Sequence, residues 1–299
     1  MPTFRKRLVR YLIAIALSLA FFVLLGAGVL LKLEAKILTT VWRRPITGSP
    51  LDINLAFQDV TIPTADGLEL SAWYVPGSRP EAIILVHGIH ANKQEMLIIA
   101  PILTQAGYPV LMLDLRGHGE SDDSRLSYGY RESLDVQAAA DYLLRLPEVE
   151  RVGAMGYSLG GAAVARAAGQ DERIEAVVIQ SSFSSLPDAV NDSFDKYTGL
   201  PKWPLAPIVV KAAELEVDMS IEQVDSARDL ASLSPRPVLI IHGQNDDLFP
   251  VHQAHKMYAA ARQPKSLWVV EGLGHHYQLA QTPEYQQRLR QFFAEAFTD

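Results

Sequence analysis

Residues 152–163 read VGAMGYSLGGAA, and this stretch restricts the possible folds of the chain most strongly. The apolar run at 152–155 is typical of a buried strand, and the alanine-rich segment after Gly161 is typical of a helix. Between them lies a Gly-x-Ser-x-Gly pattern centred on Ser158, at a reversal so sharp that side chains at the flanking glycine positions would clash. The reversal lifts the hydroxyl clear of the sheet and places it at a helix N-terminus, which favours negative charge. The pattern therefore predicts that Ser158 is a nucleophile.

The rest of the chain alternates between apolar runs and helical patterns. Continuous apolar strands separated by helices predict a mostly parallel sheet covered by helices on both faces. Strand-like runs around Asp66-Gly67 predict a hairpin that adds an antiparallel edge. Residues 183–233 contain several prolines and no clear strand, and they are predicted to form a small helical lid. The predicted strands lie at 82–88, 110–115, 152–156, 176–182, 237–243 and 267–272, and the predicted helices at 93–106, 131–146, 158–168, 251–262 and 284–297.

Two strand ends carry the side chains that a serine nucleophile needs, because ligands bind beyond the carboxyl ends of parallel strands. The last apolar run leads into His275, which is predicted to be the general base, while His276 is expected to point the other way. The run before it leads into Asp246, which is predicted to orient the imidazole. Its neighbour Asp247 is expected to be solvated or to cap the next helix. The chain order of Ser158, Asp246 and His275 is the order of this architecture.

Two backbone N–H groups are predicted to bind the oxyanion of a tetrahedral intermediate beside Ser158. One belongs to Leu159, and the other belongs to Ile89 in the loop after the run at 82–88. His87 and His90 in the same loop are interpreted as structural residues, with a substrate contact by His90 as the alternative. No metal and no cofactor are predicted, because the metal, dinucleotide and phosphate-loop patterns are missing and the chain has no cysteine.

The predicted lid is rich in apolar residues between positions 183 and 210. An apolar lid above a serine suits an apolar acyl group, since ligand pockets are mostly apolar. Tyr157 and the lid residue Trp203 are accordingly predicted to contact the substrate. We expect kcat/KM to rise from acetyl to medium-chain esters, and we expect Trp203→Ala to flatten that rise.

The N-terminal segment is a long apolar stretch flanked by basic residues. Residues 11–31 contain no charge, and a helix of this length covers the hydrocarbon core of about 30 Å. With the basic flank at 1–10, the pattern predicts an uncleaved single-pass membrane anchor; a signal peptide and a buried core helix are the alternatives. The basic cluster before the span favours a cytoplasmic N-terminus, with the body of the chain outside.

Residues 32–56 are predicted to be a tether, because Pro45, Gly48 and Pro50 interrupt any periodicity. The body is then 57–299, and deletion of residues 1–36 is expected to leave it soluble and active. Residues 1–50 carry eight basic residues and one acidic residue, whereas the whole chain has a net charge of −7. The body is therefore acidic, which argues against a nucleic-acid partner.

Six motifs together resemble the α/β-hydrolase superfamily, and most closely its branch of serine aminopeptidase-like and Bem46-like hydrolases. The resemblance extends over residues 57–297. It implies the α/β-hydrolase fold, with Ser158 as nucleophile, Asp246 as acid and His275 as base. The lid matches no substrate-defining type. The motifs are HGIH at 87–90, LDLRGHGES at 113–121, YGYRES at 128–133, GYSLGG at 156–161, HGQNDDLFP at 242–250 and GLGH at 272–275.

Three functions fit these observations. The first is a membrane-tethered serine hydrolase that cleaves carboxylic esters through an acyl-enzyme. The second is a peptidase of the same fold, for which a small amide would be the substrate and an anchor for a free amine or for proline would be needed. The third is a non-catalytic binding protein of this fold, and the intact Ser158, Asp246 and His275 argue against it.

Overall fold

The structure, a computed structural model, describes residues 2–276 and 278–298. Within these residues eight strands form one sheet in the order β1-β2-β4-β3-β5-β6-β7-β8. The two pairs that involve β2 are antiparallel and the other five are parallel. The strands are β1 (Gln58–Pro63), β2 (Glu69–Val75), β3 (Glu81–Val86), β4 (Val110–Leu113), β5 (Arg151–Tyr157), β6 (Ile174–Gln180), β7 (Val238–Gly243) and β8 (Lys265–Val270).

Helices cover both faces of the sheet, which explains why every residue of β3, β4 and β7 is buried. One core layer includes α3, α4 and α8, and the opposite layer includes α2 and α9. The predicted α/β-hydrolase fold, with its antiparallel edge hairpin, is confirmed. The helices in the described residues are α1 (Pro2–Leu38), α2 (Ala100–Thr104), α3 (Glu132–Leu143), α4 (Leu159–Gln170), α5 (Leu186–Thr198), α6 (Lys202–Val217), α7 (Ser226–Ala231), α8 (His252–Ala260) and α9 (Pro283–Ala296).

The segment predicted as a lid is helical, as expected, and it divides into two parts. Helices α5 and α6 form a hairpin that begins where the Ser185 hydroxyl caps α5 and turns at Gly199, whose φ of 68° ends the helix. Helix α7 instead packs on α4, and Leu230 belongs to the core of the domain body. The lid is therefore the α5–α6 hairpin, and α7 is part of the body.

Helix α1 has 37 residues and extends beyond the charge-free stretch. Lys6–Leu38 is long and apolar enough to cross a membrane, and its most apolar 18 residues have a mean hydropathy of 2.6. A signal sequence near the N-terminus can be equally long and apolar. Its last two turns pack on the lid hairpin, where Leu31 and Leu38 contact an apolar cluster that contains Val209. Helix α1 is thus joined to the body.

The segment predicted as a free tether is also docked on the body. Thr39 is buried, and its carbonyl accepts a hydrogen bond of 2.9 Å from the N–H of Leu126. The Arg43 guanidinium donates to two backbone carbonyls of the loop at 119–121 and to Asp123. The tether prediction is corrected for a physical reason: prolines break helical periodicity, but they leave the remaining backbone and side-chain groups able to pair with a distant surface.

This docking changes the expected result of N-terminal truncation. We expect that deletion of residues 2–30 leaves the lid contacts intact, whereas deletion of residues 2–39 removes the buried Ala35 and Thr39, half-buried Leu38 and several hydrogen bonds. The longer deletion should lower the melting temperature in detergent by about 5–10 °C relative to the shorter one. Equal melting temperatures and equal ester turnover would show that the end of α1 contributes nothing to the body.

Candidate active site

Ser158 lies at the turn between β5 and α4, with backbone angles of φ 53° and ψ −116°. This conformation is strained for a residue with a Cβ, and strain of this kind concentrates at functional sites. A Cβ on Gly156 would lie 2.1 Å from the carbonyl oxygen of Gly160, and a Cβ on Gly160 would lie 2.4 Å from that of Val86. Only glycine fits either position, so these two glycines make the turn possible.

The structure brings the side chains of Ser158, His275 and Asp246 together. His275 Nε2 lies 3.2 Å from Ser158 Oγ, and His275 Nδ1 lies 2.7 Å from Asp246 Oδ2. Asp246 is only 4% exposed, whereas Asp247 is exposed. His276 is likewise exposed, beside the partly buried His275. The three residues predicted as nucleophile, base and acid thus lie within hydrogen-bonding distance of one another, and the side chains of Asp247 and His276 are exposed beside them.

The carboxylate of Asp246 is held in place by its own loop. Its Oδ1 accepts hydrogen bonds from the N–H groups of Leu248 at 3.0 Å and Phe249 at 2.8 Å, which leaves Oδ2 directed at His275. His242 Nε2 lies 3.5 Å from the same Oδ2, and it donates to the carbonyl of Phe249 at 2.7 Å. Burial lowers the pKa of His242 and keeps it neutral. The Asp246 carboxylate thus has His275 as the ring whose positive charge it can stabilise.

Two aromatic rings flank the His275 imidazole. The Tyr157 ring lies 5.6 Å from it between ring centroids, and the Phe249 ring lies 5.3 Å away in an edge-to-face contact. Tyr157 was predicted to contact substrate, and the structure places it against the imidazole. Phe249 follows Asp246 by three residues within the motif at 242–250, and the motif by itself assigns Phe249 no role.

Glu95 is a further neighbour of the site that the sequence does not indicate. Its Oε2 accepts a hydrogen bond of 2.8 Å from the N–H of Gly88, in the loop that carries Ile89. Burial raises the pKa of Glu95, while the hydrogen bond to Gly88 acts in the opposite direction. This hydrogen bond holds Gly88 in place. The N–H predicted to bind an oxyanion belongs to Ile89, the next residue in the chain.

An apolar cavity opens beside Ser158, and Leu159 and Ile89 lie on its wall. The two residues predicted to bind an oxyanion therefore line the same cavity as Ser158. Glu214 is the one wall residue of the described chain with a formal charge, and the end of α1 contributes two wall residues. The other wall residues are Leu38, Thr39, Tyr128, Phe183, Leu186, Ala189, Val190, Phe194, Tyr197, Thr198, Val210, Ala213, Val217, Met219, Ile221 and Phe249.

Trp203, which is predicted to contact substrate, and His90, for which a substrate contact is the alternative to a structural role, are not on the cavity wall. Trp203 is 80% exposed at the start of α6 and is not part of the cavity wall, because the chain bends there and turns the ring outward. His90 stacks on the Trp42 ring at 5.4 Å, and its Nδ1 accepts a hydrogen bond of 3.2 Å from the N–H of Trp42. The docked segment after α1 therefore covers the His90 ring and uses its Nδ1 as a hydrogen-bond acceptor. The substrate contacts considered for Trp203 and His90 are corrected accordingly.

His87 and His118 form a buried pair below the site, with ring centroids 4.9 Å apart. His87 Nε2 accepts a hydrogen bond from the N–H of Leu115 at 3.2 Å, and His87 Nδ1 donates to the carbonyl of Gly88 at 2.7 Å. The structural interpretation of His87 thus fits its contacts. Burial lowers the pKa of His87 to about 4 and that of His118 to about 3, from an ordinary value of 6.5.

Acid should therefore destabilise the fold through this pair. Because both folded-state pKa values lie below 6.5, the unfolded chain binds protons first as pH falls, and stability is lost from about pH 6.5 downward. We expect His87 and His118 together to contribute a loss of about 3–4 kcal/mol to the free energy of unfolding in detergent between pH 7 and pH 5, while buried Asp135, whose pKa burial raises to about 7, acts in the opposite direction. His118→Asn should roughly halve this loss, whereas His255→Asn, at an exposed position, should leave it unchanged. An identical pH dependence in wild type and His118→Asn would contradict the assignment.

Comparisons with known sequences agree with this geometry. A family model described as the alpha/beta hydrolase fold matches residues 81–204. The chain is 30% identical over 227 residues to the uncharacterized protein YfhR of Salmonella typhi, which covers 70% of each chain. It is 31% identical to the uncharacterized protein Rv2307c of Mycobacterium tuberculosis, over 74% of this chain and 73% of that one.

Comparisons with solved structures show the same fold. The Pyrococcus furiosus esterase Pf2001 matches with a TM-score of 0.73 and 24% identity, over 87% of this chain and all of that one. The acetyl xylan esterase from Paenibacillus sp. R4 matches with a TM-score of 0.64 and 20% identity, over 84% of this chain and 87% of that one. These structures show the shared fold, and the match to the family model together with the relatives of 30% identity or more shows that the chain belongs to the α/β-hydrolase superfamily.

Proposed function

We propose that this protein is a membrane-anchored serine hydrolase that cleaves carboxylic esters through an acyl-enzyme. One observation carries the proposal: the hydroxyl of a strained, buried serine lies 3.2 Å from an imidazole whose other nitrogen lies 2.7 Å from a buried carboxylate. A binding protein has no need of this hydrogen-bonded series, and nucleophilic catalysis requires each member of it.

The chemistry follows from the proton positions. The Asp246 carboxylate keeps the His275 proton on Nδ1, so Nε2 is free to accept the Ser158 proton while Oγ attacks the ester carbonyl. The N–H groups of Leu159 and Ile89 stabilise the oxyanion that forms. Protonated His275 then donates its Nε2 proton to the leaving alkoxide, and the acyl group stays on Ser158. Water, deprotonated by the same nitrogen, releases the carboxylic acid and restores the serine.

The cavity favours an ester over a peptide. An aminopeptidase requires a free carboxylate to bind the substrate's amine, and Glu214 is the candidate on the wall. Its Oε1 already accepts hydrogen bonds of 2.9 Å from Ser220 and from the N–H of Ile221, and its Oε2 pairs with Lys211 at 2.9 Å. The apolar remainder of the wall suits an acyl chain. The two solved esterases that share the fold support the same choice.

Helix α1 supports the anchor. Its charge-free stretch matches the thickness of a bilayer core, and none of its most apolar window is buried in the protein. The basic residues Lys6, Arg7 and Arg10 precede the span, which supports an orientation with the N-terminus in the cytoplasm and the hydrolase domain outside. Protease treatment of intact cells should therefore digest the hydrolase domain and spare an epitope at the N-terminus.

Two measurements on the full chain in detergent test the hydrolase assignment. A fluorophosphonate probe should label the wild type and should not label Ser158→Ala. A panel of p-nitrophenyl esters and aminoacyl amides should show turnover of the esters and little of the amides. Absence of labelling would contradict the serine mechanism, and preferred cleavage of the amides would support the peptidase alternative.

We expect the cavity wall to set the acyl preference. The value of kcat/KM should rise about tenfold or more from acetyl to hexanoyl ester, because each buried CH₂ contributes up to about 0.8 kcal/mol. Ala213→Trp, on the wall, should reduce hexanoyl turnover about tenfold and spare the acetyl ester. Trp203→Ala, off the wall, is the matched control and should change neither. A preference for acetyl ester that both variants leave unaltered would show that the cavity does not bind the acyl chain.

A further inference from the structure

The lid lies beside the place where α1 leaves the predicted hydrocarbon core. Leu31 is the last residue of the charge-free stretch, and it packs against the apolar cluster formed by Phe194, Ala206 and Val209 of the lid. Ala35 is buried and Leu38 packs on the same cluster. At about 1.5 Å per residue, Leu31 to Leu38 spans about 10 Å of helix. These contacts with the lid therefore lie at the end of the charge-free stretch and in the two turns that follow it.

The outward face of α6 is apolar except for the exposed lysines Lys202 and Lys211. Trp203 is 80% exposed, Leu215 is 74% exposed and Ile208 is 47% exposed, and Pro204 and Pro207 between them are exposed as well. Helices on the surface of soluble proteins normally present polar residues to water, so a face of this kind indicates an apolar environment. Tryptophan in particular is enriched at the interface between membrane and water.

The inward face of the same helix forms part of the wall around Ser158. Val210, Ala213 and Val217 line the cavity, next to Leu38 and Thr39 from the end of α1. The lid hairpin and the end of the anchor thus separate the active-site cavity from the membrane side of the protein. An acyl chain that left the bilayer at this point would have only this layer to cross.

We propose that α6 lies in the headgroup layer of the bilayer that α1 crosses, and that the substrates are acyl esters of lipids in that bilayer. This inference rests on the proposed ester hydrolysis and membrane anchor, and it adds the substrate class and the place of the lid. The bilayer is the occupant of the α6 face because α6 is packed against the very turn of α1 that ends the charge-free stretch.

Site-specific fluorescence tests the position of α6, and the chain has no cysteine to interfere. The full chain is labelled with nitrobenzoxadiazole at a single cysteine, Ile208→Cys in one variant and Leu215→Cys in another. Each labelled variant is reconstituted in phosphatidylcholine vesicles. Gln287→Cys, exposed on α9, is the control. We expect blue-shifted emission and quenching by brominated phosphatidylcholine at 208 and 215, and neither at 287. Emission at 208 and 215 equal to that at 287 would overturn the proposal, as would a blue shift without lipid quenching, which indicates a second copy of the chain.

Enzyme assays test the substrate class with the same vesicles. The variant Trp203→Ser/Ile208→Ser/Leu215→Ser should hydrolyse soluble p-nitrophenyl butyrate at the wild-type rate, and methylumbelliferyl oleate held in the vesicles at least about tenfold more slowly. The apolar variant Trp203→Phe/Ile208→Val/Leu215→Met should keep both activities. If the serine variant hydrolysed the vesicle-held ester as fast as wild type, the inference about lipid substrates would be overturned and the proposed hydrolase function would stand. Failure of the wild type to hydrolyse either ester would overturn the proposed hydrolase function as well.

Discussion

Replacement of Ser158 by alanine should abolish ester hydrolysis, with kcat lowered on the order of 10⁴-fold or more in a protein that stays folded. The Ser158 side chain is 3% exposed and its hydroxyl meets His275 Nε2, so the change removes the attacking atom and one hydrogen bond. His275→Ala should be equally damaging, because residues that act as a unit show similar losses when removed singly. Initial rates and melting curves of the purified variants provide the comparison.

A second buried serine offers the matched control for this experiment. Ser182 is fully buried next to Gly161, and it is not part of the cavity wall. Ser182→Ala should keep turnover within a few-fold of wild type, which separates loss of the nucleophile from loss of any buried hydroxyl. Turnover near the wild-type value in Ser158→Ala would remove this residue from the mechanism.

Asp246→Asn should lower kcat by about 10⁴-fold, whereas Asp247→Asn should leave it within about twofold of wild type. The N–H groups of Leu248 and Phe249 will retain the amide oxygen of an asparagine at 246, which turns its NH₂ group toward His275 Nδ1. Nδ1 must then accept a hydrogen bond, so the ring proton moves to Nε2, where it blocks removal of the Ser158 proton. The side chain of Asp247 is exposed and makes no such contact with the ring.

The pH dependence of kcat/KM separates this loss from simple unfolding. A folded Asp246→Asn enzyme should recover part of its activity at alkaline pH, where hydroxide replaces the missing base. A variant that is merely unfolded would lose activity at every pH and would show a lower melting temperature. If Asp247→Asn proved the more harmful change, the acid would have to be reassigned.

The features of this protein that could be predicted from its sequence are those that local chemistry controls. A serine between two glycines, after an apolar run and before an alanine-rich segment, can adopt only a few backbone conformations, so Ser158 was predicted together with its turn. Alternation of buried strands and helices restricts the topology to a covered parallel sheet, which places Asp246 and His275 at the same edge. The charge-free length of α1 is also a local property.

The contacts between segments that are distant in the sequence could not be predicted and became visible only in the folded chain. The end of α1 forms part of the cavity wall, the segment after it is hydrogen-bonded to His90, and the Trp203 side chain is exposed to solvent away from the site. Periodicity shows which face of an element is apolar, but it does not show which partner covers that face. The partner is selected by the packing and hydrogen bonding of groups far apart in the chain, and these exist only once the sheet has placed them side by side.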